Sequence, residues 1–269
     1  MNLNNPFYSK IIKNTKRTKS HLCIGLDPDP LKIPSKFEPS VKGTEKFLTE
    51  VIQNTSDLCI AYKPNISFFE AMGIDGLRML ERLCKLIPST IPIILDAKRG
   101  DIGNTAKKQA SYLFDIFGAD ASTVNPFMGA DCVEPFLEYK DKFHFILALT
   151  SNPGADDFEK LMLKSGKFLY EQVIDTCSKW NKTYGNVGCV IGATKSELAS
   201  VRKQDRTLPF LVPGVGAQGG DYHDTSTQTK NDDDIVLINV SRGVLYISKE
   251  DDYLDKMRTV IVKNYTSKV

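Results

Sequence analysis

Eight short apolar runs, each followed by a stretch able to form a helix or a loop, set the tightest limit on what this chain can fold into. The runs cover residues 21–27, 59–65, 91–98, 121–126, 142–150, 188–193, 208–215 and 235–242. Helices are expected within 43–57, 74–87, 102–117, 166–184, 195–203 and 251–263. The runs are apolar almost throughout, as strands covered on both faces must be, whereas a strand with one wet face alternates. Eight parallel strands with helical crossovers in 269 residues is the arithmetic of a closed (β/α)8 barrel, and a doubly wound open sheet is the alternative. No Pro/Gly linker or composition break divides the chain. One domain over residues 1–269 is therefore expected, with 1–20 a basic amino-terminal helical segment.

Charge excludes some partners. Lys and Arg number 35 against 33 Asp and Glu, a formal net charge of +2 that gives no global field to recruit nucleic acid or an anionic bilayer. Lys10, Lys13, Lys16, Arg17 and Lys19 crowd the first segment, but Ile11 and Ile12 among spaced cations fit a solvated amphipathic helix better than an RNA-binding arm. The six cysteines form no CxxC pair, and several lie inside apolar runs, which fits free buried thiols in a reducing cytosol. With no signal-peptide pattern and no 18-residue apolar stretch, a soluble cytoplasmic protein is expected.

Polar residues gather where the runs end: Asp27, Lys63, Asn65, Asp96, Lys98, Asn125, Ser151, Gln218 and Arg242. The carboxyl ends of barrel strands form one shared mouth. Asp96 and Lys98, two apart on a strand, should face the same side, Lys63 ends the neighbouring strand, and Asp101 follows the turn-forming Gly100. Two ammoniums and two carboxylates in one pocket are costly to desolvate. A structural ion-pair network is one reading. The other is a site in which a protonated Lys stabilises and then protonates a carbanion while a fixed carboxylate repels a substrate carboxylate. Unit charges about 4 Å apart interact by roughly 4 kcal/mol at an effective dielectric of 20, which favours losing that carboxylate as CO2. The loops after the seventh and eighth runs carry Gly214, Gly216, Gln218, Gly219 and Gly220, then Ser241 and Arg242, the exposed amides and guanidinium fork suited to a phosphate.

AYKPN at 61–65, LDAKRGDIGNT at 95–105, LTSNPGA at 149–155, PGVGAQGGD at 213–221 and NVSRG at 239–243 together resemble the orotidine 5′-monophosphate decarboxylase family in order and spacing. The resemblance runs from about Cys23 to Tyr246 and implies a TIM barrel that converts orotidine 5′-monophosphate to uridine 5′-monophosphate without a cofactor or metal, in pyrimidine biosynthesis. It further implies that Lys63, Asp96, Lys98 and Asp101 form the catalytic array, with Lys98 stabilising and protonating C6. Asp27, Asn65, Ile102, Thr105, Ser151, Pro213, Gln218, Ser241 and Arg242 would bind the nucleotide. Asp101, Ile102 and Thr105 would enter the other subunit's site, so a homodimer is implied. Ser241 departs from the Gly that many relatives carry before the Arg, and the 152–187 connection is longer than the shortest relatives need.

The DxKxxD element is shared with metal-dependent barrels that decarboxylate or condense sugar phosphates, and a catalytically inert nucleotide-binding barrel is a further alternative. Metal-dependent relatives need an acidic ligand near the second strand's end, where Tyr62, Lys63 and Pro64 supply none. GxGxxG at 214–219 is not read as a dinucleotide fingerprint, because 221–234 lacks an apolar helical face; that stretch is expected to be a flap or a surface loop. His21, His144 and His223 are not spaced as metal ligands.

Overall fold

Parallel pairing joins the strands in a continuous ladder, β2-β1-β8-β7-β6-β5-β4-β3, over β1 (Leu22–Leu26), β2 (Ala61–Pro64), β3 (Ile94–Arg99), β4 (Ala121–Val124), β5 (Phe143–Leu149), β6 (Val187–Ile191), β7 (Phe210–Pro213) and β8 (Val236–Val240). Backbone bridges Tyr62↔Ile93 and Asn65↔Asp96 then join β2 to β3 and close the ring. The computed structural model describes residues 5–192, 195–214 and 221–266. A (β/α)8 barrel, rather than the open sheet, is what these residues form.

Helices surround the strands and, in α1, close one end: α1 (Pro6–Thr18), α2 (Val41–Thr55), α3 (Ile66–Glu70), α4 (Gly73–Leu86), α5 (Gly103–Ser111), α6 (Ala130–Leu137), α7 (Leu169–Tyr184), α8 (Lys195–Gln204), α9 (Tyr222–Thr229), α10 (Arg242–Leu245) and α11 (Tyr253–Tyr265). The helix expected over 102–117 ends at Ser111 and continues as a π turn, Tyr112–Ile116. Two apolar clusters result. One fills the layer between strands and helices, and the other fills the barrel lumen with Cys23, Ala61, Ile94, Phe143, Phe145 and Leu237. All six cysteines are free and buried. Among the described residues no helix is long and apolar enough to cross a membrane.

The expectation for the basic first segment needs correction. Its helix forms, but instead of lying solvated it drives Phe7, Tyr8 and Ile11 into the amino-terminal end of the lumen, where Phe7 stacks on Phe143 at 4.9 Å. Asn5 caps the helix by accepting from the Phe7 amide and anchors it by donating to the Lys140 and Lys142 carbonyls. Its cations are partly used internally: Arg17 donates to the carbonyls of Ser56, Asp57 and Cys59, and Lys10 pairs with Asp120 at 2.6 Å.

A second correction concerns 221–234, which contains α9 rather than a flap or an irregular loop. Its buried face is Tyr222, Thr225, Ser226 and Thr229, polar side chains invisible to a hydrophobic pattern. They are buried because they are satisfied. The Tyr222 hydroxyl accepts from the His21 amide, Ser226 pairs with His21 Nδ1 at 2.9 Å, and Thr225 and Thr229 donate to carbonyls four residues back. The 152–187 connection also folds: a 3₁₀ turn at Pro153–Asp157, an antiparallel bridge Met162↔Phe168, then α7. The Glu159 carboxylate accepts from both the amide and the hydroxyl of Thr150, pinning this excursion to the end of β5.

His144 on β5 lies between the Phe114 and Phe136 rings, and burial pushes its pKa down to about 3. The folded chain therefore resists a proton that the unfolded chain accepts below about pH 6.5, so stability is full above that pH and falls as pH drops towards 3. Urea unfolding of the His144→Phe variant should show a loss between pH 7 and pH 5 smaller than wild type by about 2 kcal/mol. An unchanged difference would place the pH sensitivity elsewhere.

Candidate active site

The carboxyl-terminal mouth takes its shape from an irregularity in β3. Ile94 and Leu95 pair with Ala121 and Ser122 of β4, but the next pair is Arg99 with Val124, so the register shifts across Asp96, Ala97 and Lys98. Lys98 takes a left-handed backbone, φ +43°, a conformation that costs a side-chain-bearing residue strain. Asp96 and Lys98 do meet, as their spacing suggested. The reason is this bulge, with the Lys98 side chain folding back, and not the plain alternation of a regular strand.

Three charges converge. Lys63 Nζ donates to Asp96 Oδ2 at 2.5 Å and Lys98 Nζ to Asp96 Oδ1 at 2.7 Å. The Thr123 hydroxyl donates to the same Oδ1 at 2.9 Å. Burial works against the Asp96 charge, yet the two ammoniums hold its carboxyl far below the ordinary range. Burial alone would likewise lower the Lys63 pKa, but the Asp96 and Asp27 carboxylates raise it. Asp96 and Lys63 are thus ionised at neutral pH. Their accessibility differs: the Lys63 side chain is 5% exposed and the Lys98 side chain 45%. Lys98 is the ammonium that a molecule in the mouth can reach, while Lys63 fixes Asp96 from beneath.

The fourth charge does not join them within this chain. Asp101 Oδ1 accepts from the adjacent Ile102 amide at 2.8 Å, and the Ile102 and Thr105 side chains are exposed. Asn65 caps α3, its Oδ1 accepting from the Ser67 amide. Ser151 is exposed beyond β5, beside Gly192 and Pro213: a Cβ built on Gly192 would lie 3.3 Å from the Ser151 nitrogen and 3.3 Å from the Pro213 ring. Arg242 is exposed at the start of α10. Gln218, with Gly216, Gly219 and Gly220, lies outside the described residues.

On the strands that adjoin Lys63, where β1 pairs with β2 on one side and β8 on the other, three buried oxygens have no hydrogen-bond partner: Asp27 Oδ1, Asn239 Oδ1 and Ser241 Oγ. They belong to the carboxyl ends of β1 and β8, around Gly25, where a Cβ would meet Ser241 Cβ at 2.7 Å and Asn239 Oδ1 at 3.1 Å. Leaving such atoms unpaired costs about 1–3 kcal/mol each, so the cradle suits a molecule that brings hydroxyl or N–H donors.

Comparison with known proteins identifies the family. The sequence profile of the orotidine 5′-phosphate decarboxylase / HUMPS family matches residues 20–252. The chain belongs to that family. The orotidine 5′-phosphate decarboxylases of Herpetosiphon aurantiacus and of a Roseiflexus species are 44% and 43% identical to it, over 94% and 96% of this chain and 94% and 95% of theirs. The solved Leishmania donovani OMP decarboxylase superposes with TM-score 0.80 at 34% identity, covering 95% of this chain and 98% of that one. The Leishmania donovani UMP synthase gives TM-score 0.82 at 36% identity over 96% of this chain, which spans 55% of that larger protein.

Within the family frame, three contributors to the mouth escaped the sequence reading. Asn239, in NVSRG, lies on the otherwise apolar strand β8, which hides its polar role. Thr123 is a buried β4 residue whose hydroxyl meets Asp96. Tyr246 accepts from the Asp29 amide at 2.7 Å and donates to the Asp27 carbonyl at 2.8 Å, clasping the loop that carries Asp27. A β-branched or aromatic residue in an apolar context gives no sign of such a role; only the fold brings its hydroxyl to a partner.

The ion triad makes a stability prediction. Asp96→Ala leaves Lys63 buried without its counter-charge and should cost about 3–5 kcal/mol by urea unfolding. The double variant Lys63→Met/Asp96→Leu removes both buried charges and should recover most of that loss. A double variant no more stable than Asp96→Ala would contradict the pairing.

Proposed function

We propose that this chain decarboxylates orotidine 5′-monophosphate to uridine 5′-monophosphate, with the Lys63, Asp96 and Lys98 triad as its electrostatic engine. The observation that carries the reading is a buried carboxylate kept ionised beside one reachable ammonium. With the pyrimidine in the mouth, Asp96 faces the substrate carboxylate and repels it, while Lys98 faces C6. The bond from C6 to the carboxylate breaks, the electron pair stays on C6 and CO2 leaves. Lys98 Nζ then delivers its proton to C6 and is reprotonated from water. The fixed charges need no rearrangement as the carbanion forms, which is where preorganised electrostatics lowers a barrier.

The remaining residues take the rest of the nucleotide. Asp27 and Asn65 face the ribose, the unpartnered Asp27 oxygen accepting from a sugar hydroxyl. Ser151 reads the pyrimidine edge. Pro213 lines the nucleotide pocket, and Gln218, Ser241 and Arg242 hold the phosphate, whose remote binding energy keeps the repelled carboxylate in place. A metal-dependent sugar phosphate lyase on the same barrel fits less well, because the end of β2 presents the Lys63 cation where a metal would need a carboxylate.

The working unit of this reading is a homodimer with Asp101, Ile102 and Thr105 reaching into the partner's mouth. Its supports are the Asp101 carboxylate, bonded to the adjacent Ile102 amide rather than to its own triad, and an apolar rim on the same end, with Ile102 53%, Phe127 76% and Phe158 60% exposed.

Incubation of the purified protein with orotidine 5′-monophosphate under chelator should bleach the pyrimidine absorbance at micromolar enzyme or below; no turnover removes the proposal. Mixing the inactive variants Lys98→Ala and Asp101→Ala should restore activity to about a quarter of wild type, since half the mixed population carries one intact site of two. No recovery despite demonstrated subunit exchange would put Asp101 in its own chain's pocket.

A further inference from the structure

The β3 bulge that aims Lys98 at Asp96 has a hydrogen-bonding problem. Where the register slips between Leu95 and Arg99, the Ala97 and Lys98 amides leave the β4 ladder. A buried amide without a partner is strongly disfavoured, and the left-handed Lys98 backbone adds strain at the same point. One side chain meets the need. The Thr123 hydroxyl on β4 accepts from the Ala97 amide at 3.0 Å and from the Lys98 amide at 2.9 Å. A hydroxyl has two acceptor lone pairs and one proton. With both lone pairs occupied, its proton is committed to Asp96 Oδ1, 2.9 Å away, which as a carboxylate can only accept.

We infer that Thr123 is a positioning residue for the decarboxylation, setting through one hydroxyl both the backbone turn that presents Lys98 and the rotamer of Asp96. This rests on the activity proposed above and deepens it. Thr123 is 1% exposed, so it touches no substrate. Its influence passes through the two charges it holds, and Thr is suited to this because its branched side chain restricts χ1. Valine has the same shape and neither donor nor acceptor, while serine keeps the hydroxyl and loses only the methyl.

The test compares Thr123→Val, Thr123→Ser and Thr123→Ala with wild type. Thr123→Val should lower kcat on the order of 100-fold, the usual scale for a catalytic group displaced by about an ångström. KM and the affinity for uridine 5′-monophosphate should stay within about 3-fold, because the binding residues are elsewhere. Thr123→Ser should keep activity within about 5-fold of wild type, a rescue that a purely space-filling role would not produce. Should the valine variant not fold, Thr123→Ala takes its place: water can enter to satisfy the amides, yet the fixed donor is gone, and the same kcat loss is expected. Amide hydrogen exchange gives a readout free of activity. Ala97 and Lys98 should be protected in wild type and in Thr123→Ser, and exchange at least about tenfold faster in Thr123→Val or Thr123→Ala. A folded valine or alanine variant with wild-type kcat overturns the inference, as does a serine variant as impaired as the valine one. Failure of wild type to decarboxylate the nucleotide sinks the activity instead, and the exchange experiment still decides whether Thr123 holds the bulge.

Discussion

The Asp96 carboxylate can leave water only because three donors, the Lys63 and Lys98 ammoniums and the Thr123 hydroxyl, replace its hydration shell, and the arrangement of the mouth follows from keeping those donors within reach. Lys63 comes from β2, Thr123 from β4, and Asp96 lies on the strand between them, so the triad also spans the seam where the ring closes through the Asn65↔Asp96 bridge. A carboxylate so compensated can be neither protonated nor reoriented cheaply. That stiffness suits a site whose task is to hold a field steady while charge moves in a bound molecule.

Beside the triad, where Gly25 of β1 pairs with Lys63 of β2, the design changes. There the cradle around Gly25 holds buried oxygens that lack partners. One stretch of the rim is saturated and the adjoining stretch unsatisfied, so an incoming molecule is held by the one and electrostatically worked on by the other. Gly25 keeps the two strand ends close enough for that, since any side chain there would press on Ser241.

The barrel was legible because covered parallel strands leave a signature that needs no partner to be read: eight apolar runs with polar ends. Lys63, Asp96 and Lys98 were legible too, since charges that end apolar runs are anomalous wherever they occur. What escaped detection was polar chemistry in ordinary dress. The buried hydroxyls of α9 and Thr123 in β4 look like neutral filler until the fold supplies their partners. The bulge escaped because it inserts no unusual residue: Lys98 adopts the left-handed backbone without being Gly or Asn. The plug made by α1 was hidden by its cations, which mask the apolar face on which Phe7, Tyr8 and Ile11 carry the contact.

That plug has a consequence for traffic. With Phe7 and Tyr8 seated under Phe143 and Phe145, the filled lumen is closed from below by packed rings among the described residues. Whatever enters by the upper rim, and whatever fragment is set free there, meets packed side chains below, so among the described residues the way out leads back past the rim.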